Sequence, residues 1–157
     1  MDSIAQTITL FGHGLNCSQA ILTVFGEQFG VDAETAKKMG RPWGGGMGHL
    51  AQTCGALTGA IMVLGLASTA SDESEARKEA FSSVKKLFRC FEEKFGTTVC
   101  KNLLGEDLST EEGARNIREK NLVPKLCPEY VRAAAEILNE IIASKLKEPD
   151  QRPLEKA

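Results

Sequence analysis

The five cysteines are the residues of this 157-residue chain best suited to chemistry. Cys17 directly follows Asn16, Cys54 directly follows Thr53, Cys100 comes shortly after Thr97, and Cys127 directly precedes Pro128. Asn and Thr are favoured helix N-caps, and proline fits the first helical position. The spacing therefore predicts all four cysteines in the first turn of a helix. Free backbone N–H groups and the positive end of the helix dipole stabilise an anion there. A thiolate is such an anion, so each of these thiols is expected to ionise more readily than usual. Cys90 differs. It lies mid-helix between Arg89 and Phe91, in the most aromatic part of the chain, and is expected to pack in the core as a small hydrophobe.

Their spacing limits the chemistry. No Cys-x-x-Cys occurs, which removes thioredoxin-type and zinc-ribbon signatures, and no Cys-x-x-Cys-His occurs, which removes covalent c-type haem. The four thiols must be assembled by the fold. Three readings follow. In the first, the four are catalytic: one attacks as thiolate and another resolves it. In the second, the same four are metal ligands for an iron–sulfur cluster or a zinc ion. In the third, the chain is a helical interaction module, a homodimer, in which the cysteines only pack. His13 and His49 stand a turn or so before Cys17 and Cys54, and either could ligate a metal or serve as base to a thiol.

The run Gly44-Gly45-Gly46-Met47-Gly48 lacks the Gly-Lys-Ser/Thr ending of a phosphate loop and follows no strand. Glycines also let backbone approach a site closely and turn N–H groups toward an anion such as a thiolate or a cluster sulfide. Gly45, Gly46, Gly48 and Gly55 are the candidate cofactor contacts on that ground. Gly55 and Gly59 share a helix face and predict a close helix–helix crossing.

The elements that must position these residues read as helices, because apolar residues recur at helical spacing and strand-like alternation is nearly absent. Ile4, Ile8 and Phe11 mark a first helix, broken at Gly12-His13-Gly14. Asn16 caps a second, with Ala20, Ile21, Val24, Phe25 and Phe29 inward and Gly30 as its stop. Asp32 caps a short helix over 33–39. Residues 41–48 read as a loop, and Thr53 caps a central helix carrying Leu57, Ile61, Met62 and Leu66. Asp72 with Glu75 opens the longest helix, through Phe81, Val84, Leu87, Phe88, Phe91 and Phe95 to Gly96. Thr97 caps a short helix ending at Gly105, Ser109 with Glu112 opens one around 114–120, and Pro128 begins a last helix with Val131, Ala134, Ala135, Leu138, Ile141, Ile142 and Leu146 buried. The expectation is all-α: a single compact domain of seven or eight helices over 1–147, with a glycine-rich loop before the central helix and a polar tail over 148–157.

Composition narrows the function classes. Nineteen Lys and Arg against 21 Asp and Glu leave a net charge of −2, and aromatics make up only 6%, so neither phosphate neutralisation nor base stacking is provided for. Lys85, Lys86 and Arg89 are too few for a docking patch. The longest apolar stretch, from Ala56 to Ala67, is too short to cross a bilayer. Without a basic N-terminal region of signal-peptide type, the expected location is cytoplasmic, where cysteines are not a disulfide framework. Gly-x-Ser-x-Gly and His-Glu-x-x-His are both missing.

Taken together, Cys17 within Asn16-Cys17-Ser18-Gln19-Ala20, the Cys-Gly-Ala-x-x-Gly string from Cys54 to Gly59 behind the glycine run, Cys100 after Phe95-Gly96, and Cys127 resemble the C_GCAxxG_C_C family of redox-active proteins. These are small bacterial and archaeal proteins with four characteristic cysteines. The resemblance covers most of the chain and leaves Cys90 without a counterpart. It implies redox chemistry at Cys17, Cys54, Cys100 and Cys127, with an electron-transfer or thiol-redox partner. The related split-Soret cytochromes carry haem and an iron–sulfur cluster. The haem does not transfer to a chain without its attachment motif, and the cluster remains open.

Overall fold

The computed structural model describes residues 2–147, so the expected tail over 148–157 lies outside the described residues. Eight helices build it: α1 Ser3–Gly12, α2 Cys17–Gly26, α3 Ala33–Gly40, α4 Gly55–Leu66, α5 Glu73–Phe95, α6 Cys100–Leu104, α7 Glu111–Glu119 and α8 Leu122–Lys147. Among the described residues there is no β-sheet, only an isolated antiparallel bridge between Thr53 and Val99. The all-α expectation holds. None of these helices is long and apolar enough to cross a membrane.

The centre is α4, whose composition leaves it no polar face: Ala, Leu, Val and Gly surround the axis, so it can only be stable enclosed. It packs against α2, α8 and α5, while α1 lies across α2 and α8. Ile21 and Phe25 of α2, Leu57 and Leu64 of α4, Leu87 and Phe91 of α5, and Val131 and Leu138 of α8 are buried in one continuous core. An aromatic cluster extends it, with Phe95 and Tyr130 in edge-to-face contact at 4.9 Å between ring centroids.

The α2–α4 crossing is close because of Gly59. A Cβ there would lie 2.8 Å from the Ser18 carbonyl oxygen and 3.0 Å from the Ser18 Cα. Gly59→Ala is expected to destabilise the protein by about 1–2 kcal/mol. Overpacking of about 1–3 kcal/mol outweighs the gain of about 1 kcal/mol in helix propensity. Urea unfolding of the reduced protein checks it.

The sequence reading needs correction at several helix starts and faces. The last helix begins at Leu122, with Pro124 in its first turn, and Pro128 lies inside it. Leu122 and Val123 have apolar contacts to make with α6 and α7, and these outweigh the hydrogen bond that Pro128 cannot donate. Cys54 itself is the N-cap residue of α4, because Thr53 is held in the bridge. The cap of α7 is Thr110, whose hydroxyl accepts from the Gly113 N–H at 2.9 Å, while Ser109 turns back to Asp107. Phe81, at 59% exposure, and Leu66 and Leu146 face outward. Leu66 and Leu146 sit at the ends of their helices, where the enclosing neighbours have run out.

Candidate functional site

The N-termini of α2 and α4, the short α6, and the first turns of α8 converge on one cavity of about 500 Å³. Cys17, Cys54, Cys100 and Cys127 all line it, although they are far apart in the chain. Each arrives by a different local device.

Cys17 is the first residue of α2, fixed by a reciprocal capping box. The Asn16 side chain accepts from the Gln19 N–H at 2.9 Å, and the Gln19 side chain accepts from the Asn16 N–H at 3.1 Å. The Asn16 amide also donates to the Arg41 carbonyl at 3.0 Å, tying this helix end to the segment before the glycine run.

Cys54 and Cys100 are zipped together by backbone. The Cys54 N–H donates to the Thr98 carbonyl at 2.9 Å, and the Cys100 N–H donates to the Gln52 carbonyl at 2.6 Å. The Thr53–Val99 bridge lies between these bonds. Cys127 occupies the second turn of α8. Tyr130 follows it by almost one helical turn, and its hydroxyl donates to the Leu103 carbonyl at 2.9 Å, clamping α8 to α6.

The glycine run is a left-handed turn rather than a flexible loop. Positive φ runs without a break from Gly45 through Gly46, Met47 and Gly48 to His49. Non-glycine residues pay about 1 kcal/mol or more for that region, and such strain gathers at functional sites. Gly45, Gly46 and Gly55 line the cavity, while Gly48 does not. A Cβ on Gly55 would lie 3.3 Å from the Cys17 Cβ, so a glycine here lets the two helix starts meet. Cys90 is half-buried on α5 rather than in the core, and it stands outside the cavity. His13 ends α1 without reaching the cavity, whereas His49 lines its rim against Gly45.

Ionisation departs from the expectation that all four thiols are activated. Burial pushes Cys54 up to about 12, and the nearby Ala56 and Leu57 N–H groups at its helix start only partly offset this. Burial pushes Cys100 up to about 11, with the nearby Cys127 and Asp107 adding to the rise. Desolvation thus outweighs the helix-end effect at both. Cys17 and Cys127 behave as one unit. Cys17 is held well above the ordinary thiol range by its pairing with the neighbouring Cys127 and then by burial. The same pairing with Cys17 lowers the Cys127 pKa against the opposing effect of burial. Of the four cavity thiols, the one with a lowered pKa is the one that does not start a helix. Tyr130 is raised by burial and then by its proximity to Cys127.

As ligands, the four thiols are suited to some groups and not others. Among the described residues, no three His, Cys, Asp or Glu side chains are grouped to hold a metal ion, which does not match a preformed site for a single zinc. Four cysteine sulfurs around one cavity are nonetheless the donor set of an iron–sulfur cluster.

The bridge, the left-handed turn and the Tyr130 clamp escaped the sequence reading. Tyr130 had a signal in its helical spacing from Cys127 and the turn had one in its glycines, while the bridge had none. No curated protein and no solved structure matches the chain. The family model described as "Putative redox-active protein (C_GCAxxG_C_C)" matches residues 15–141 and so takes in all four cavity cysteines. The chain belongs to that redox-active C_GCAxxG_C_C family.

Proposed function

We propose that the protein is a two-electron thiol/disulfide carrier in which Cys17 and Cys127 are the working pair. The placement of Cys17 and Cys127 in one cavity, where their ionisations are linked, carries this reading. Cys127, as thiolate, attacks one sulfur of a substrate disulfide; its bond to that sulfur forms and the second substrate sulfur leaves as thiolate. Cys17 then loses its proton and attacks the Cys127 Sγ. The Cys17–Cys127 bond forms, and the first substrate sulfur leaves. The protein dithiol is oxidised by two electrons, and the substrate disulfide is reduced to two thiols. Cys54 and Cys100 stay protonated beside the pair.

One observation favours a second reading: all four thiols face the same cavity. In that reading Cys17, Cys54, Cys100 and Cys127 would hold an iron–sulfur cluster, which would supply one-electron transfer when bound.

Anaerobic purification followed by iron, sulfide and thiol measurement separates the two. For the carrier, diamide is expected to remove two thiols per chain, and peptide mapping to find them joined as Cys17–Cys127. Stoichiometric iron and sulfide, with all four cavity thiols protected from alkylation, would replace it with the cluster reading.

A further inference from the structure

The cavity that holds the thiols also restricts what can reach them. Cys54 is 5% exposed, and Cys100 and Cys127 are each 8% exposed, so their sulfurs lie below the surface. A disulfide on the face of a folded protein cannot be attacked by a sulfur that the surrounding wall covers, because exchange needs in-line access of one sulfur to two others. The reacting disulfide must therefore enter.

The wall sets its chemistry. Among the described residues, Asn16, His49 and Tyr130 are the polar side chains there besides the cysteines, and no Lys, Arg, Asp or Glu side chain lines the cavity. Leu108 and Val123 are apolar and half-buried at its edge. A carboxylate or ammonium taken into such a place loses its hydration and gains no counter-ion, which costs several kcal/mol. The cavity volume of about 500 Å³ falls within the range of small-molecule sites.

We propose that the substrate of the cavity is a small, uncharged, apolar disulfide, of the size of a five-membered cyclic disulfide bearing a neutral side chain. This rests on the Cys17–Cys127 carrier reading. Cys127 opens the ring to a mixed disulfide and leaves the second ring sulfur as thiol. Cys17 then displaces the first ring sulfur, so the ligand departs as a dithiol with two electrons and two protons, and the protein keeps the Cys17–Cys127 bond.

The test uses lipoamide and lipoate as probes, two ligands with the same ring that differ in a neutral amide against a carboxylate. The full-length reduced protein is mixed with each, and with oxidised thioredoxin as a protein disulfide. The Cys17–Cys127 peptide is quantified over time, with rates divided by those of free dithiothreitol. Lipoamide is expected to react at least tenfold faster than lipoate, and thioredoxin slower than both. Equal rates for lipoamide and lipoate, or a faster reaction with thioredoxin, would overturn the substrate class while leaving the carrier intact. If neither these probes nor diamide yields a Cys17–Cys127 peptide, the carrier reading fails and takes the substrate with it.

Discussion

Replacing Cys17 with alanine is expected to slow alkylation of Cys127 by iodoacetamide at pH 7 about fourfold, while Cys17→Ser keeps or exceeds the parent rate. The basis is the pairing of the Cys17 thiol, as donor, with Cys127, which lowers the Cys127 pKa. A hydrogen bond to a charged group contributes about 1.5–3 kcal/mol, and S–H is a weak donor, so the low end applies. About 1.5 kcal/mol corresponds to roughly a tenfold change in thiolate population below the pKa. Thiolate nucleophilicity rises with pKa with a slope of about 0.4–0.5, and this returns part of the loss.

The sign follows from which species reacts. Thiolate appears as pH rises through the pKa, so a lowered pKa moves the pH–rate curve to lower pH. Alanine removes the donor and moves the midpoint back up. Serine retains a donor, and a stronger one. A purely structural role for Cys17 would shift both variants alike, or neither, and would leave the midpoint where it was. Cys54 and Cys100, pushed up to about 12 and about 11, supply an internal control in the same peptide maps. They should stay almost unmodified at pH 7 in all three proteins.

That ordering of thiols could not have been read from the sequence, although the four residues could. Helix starts near Cys17, Cys54 and Cys100 are local facts: Asn16 caps the first, and Thr53 and Thr97 stand close to the other two although neither is the cap. The end effect at Cys54 is present, since the Ala56 and Leu57 N–H groups lower its pKa, but burial outweighs it. Burial depends on which helices enclose the cavity, and no local pattern carries that. Cys127 shows the converse. Pro128 signals a helix start, yet Leu122 and Val123 gain contacts across α6 and α7, so the helix starts earlier and Cys127 loses its end position. Its activation comes instead from a residue more than a hundred positions away in the chain. The helical class was legible because periodicity is repeated in every segment. The backbone zipper between 51–54 and 98–101 was not, since an isolated bridge leaves no periodicity at all.

The glycine run is where the second large effect is expected: Gly46→Ala should destabilise the protein by about 3 kcal/mol and separate Cys100 from the other thiols. Two costs add. Gly46 has φ +69°, and an L-residue there pays about 1 kcal/mol. An added Cβ would lie 2.6 Å from the Gln52 N and 2.7 Å from the Cys100 Cβ. Neither is the free end of a flexible side chain, so backbone has to move, and overpacking of this kind costs about 1–3 kcal/mol. Gln52 is also the residue whose carbonyl takes the Cys100 N–H, so the displacement works directly against the zipper that brings Cys100 to Cys54.

Two other glycines separate the contributions. Gly48 has φ +62° but only the Pro42 carbonyl oxygen near, at 3.5 Å, so Gly48→Ala should show the conformational cost alone, about 1 kcal/mol. Gly65 in α4 has ordinary helical φ and nothing within 4 Å, so Gly65→Ala should stabilise by up to about 1 kcal/mol. Against a total stability of about 5–15 kcal/mol, the first change is severe and the other two are modest. Thermal unfolding of the reduced proteins should rank them Gly65→Ala above parent, then Gly48→Ala, then Gly46→Ala, the last lowered by about 6–12 °C. Indistinguishable Tm values for Gly46→Ala and Gly48→Ala would mean that the turn does not press on Cys100. The left-handed backbone would then be strain without a part in placing the thiols.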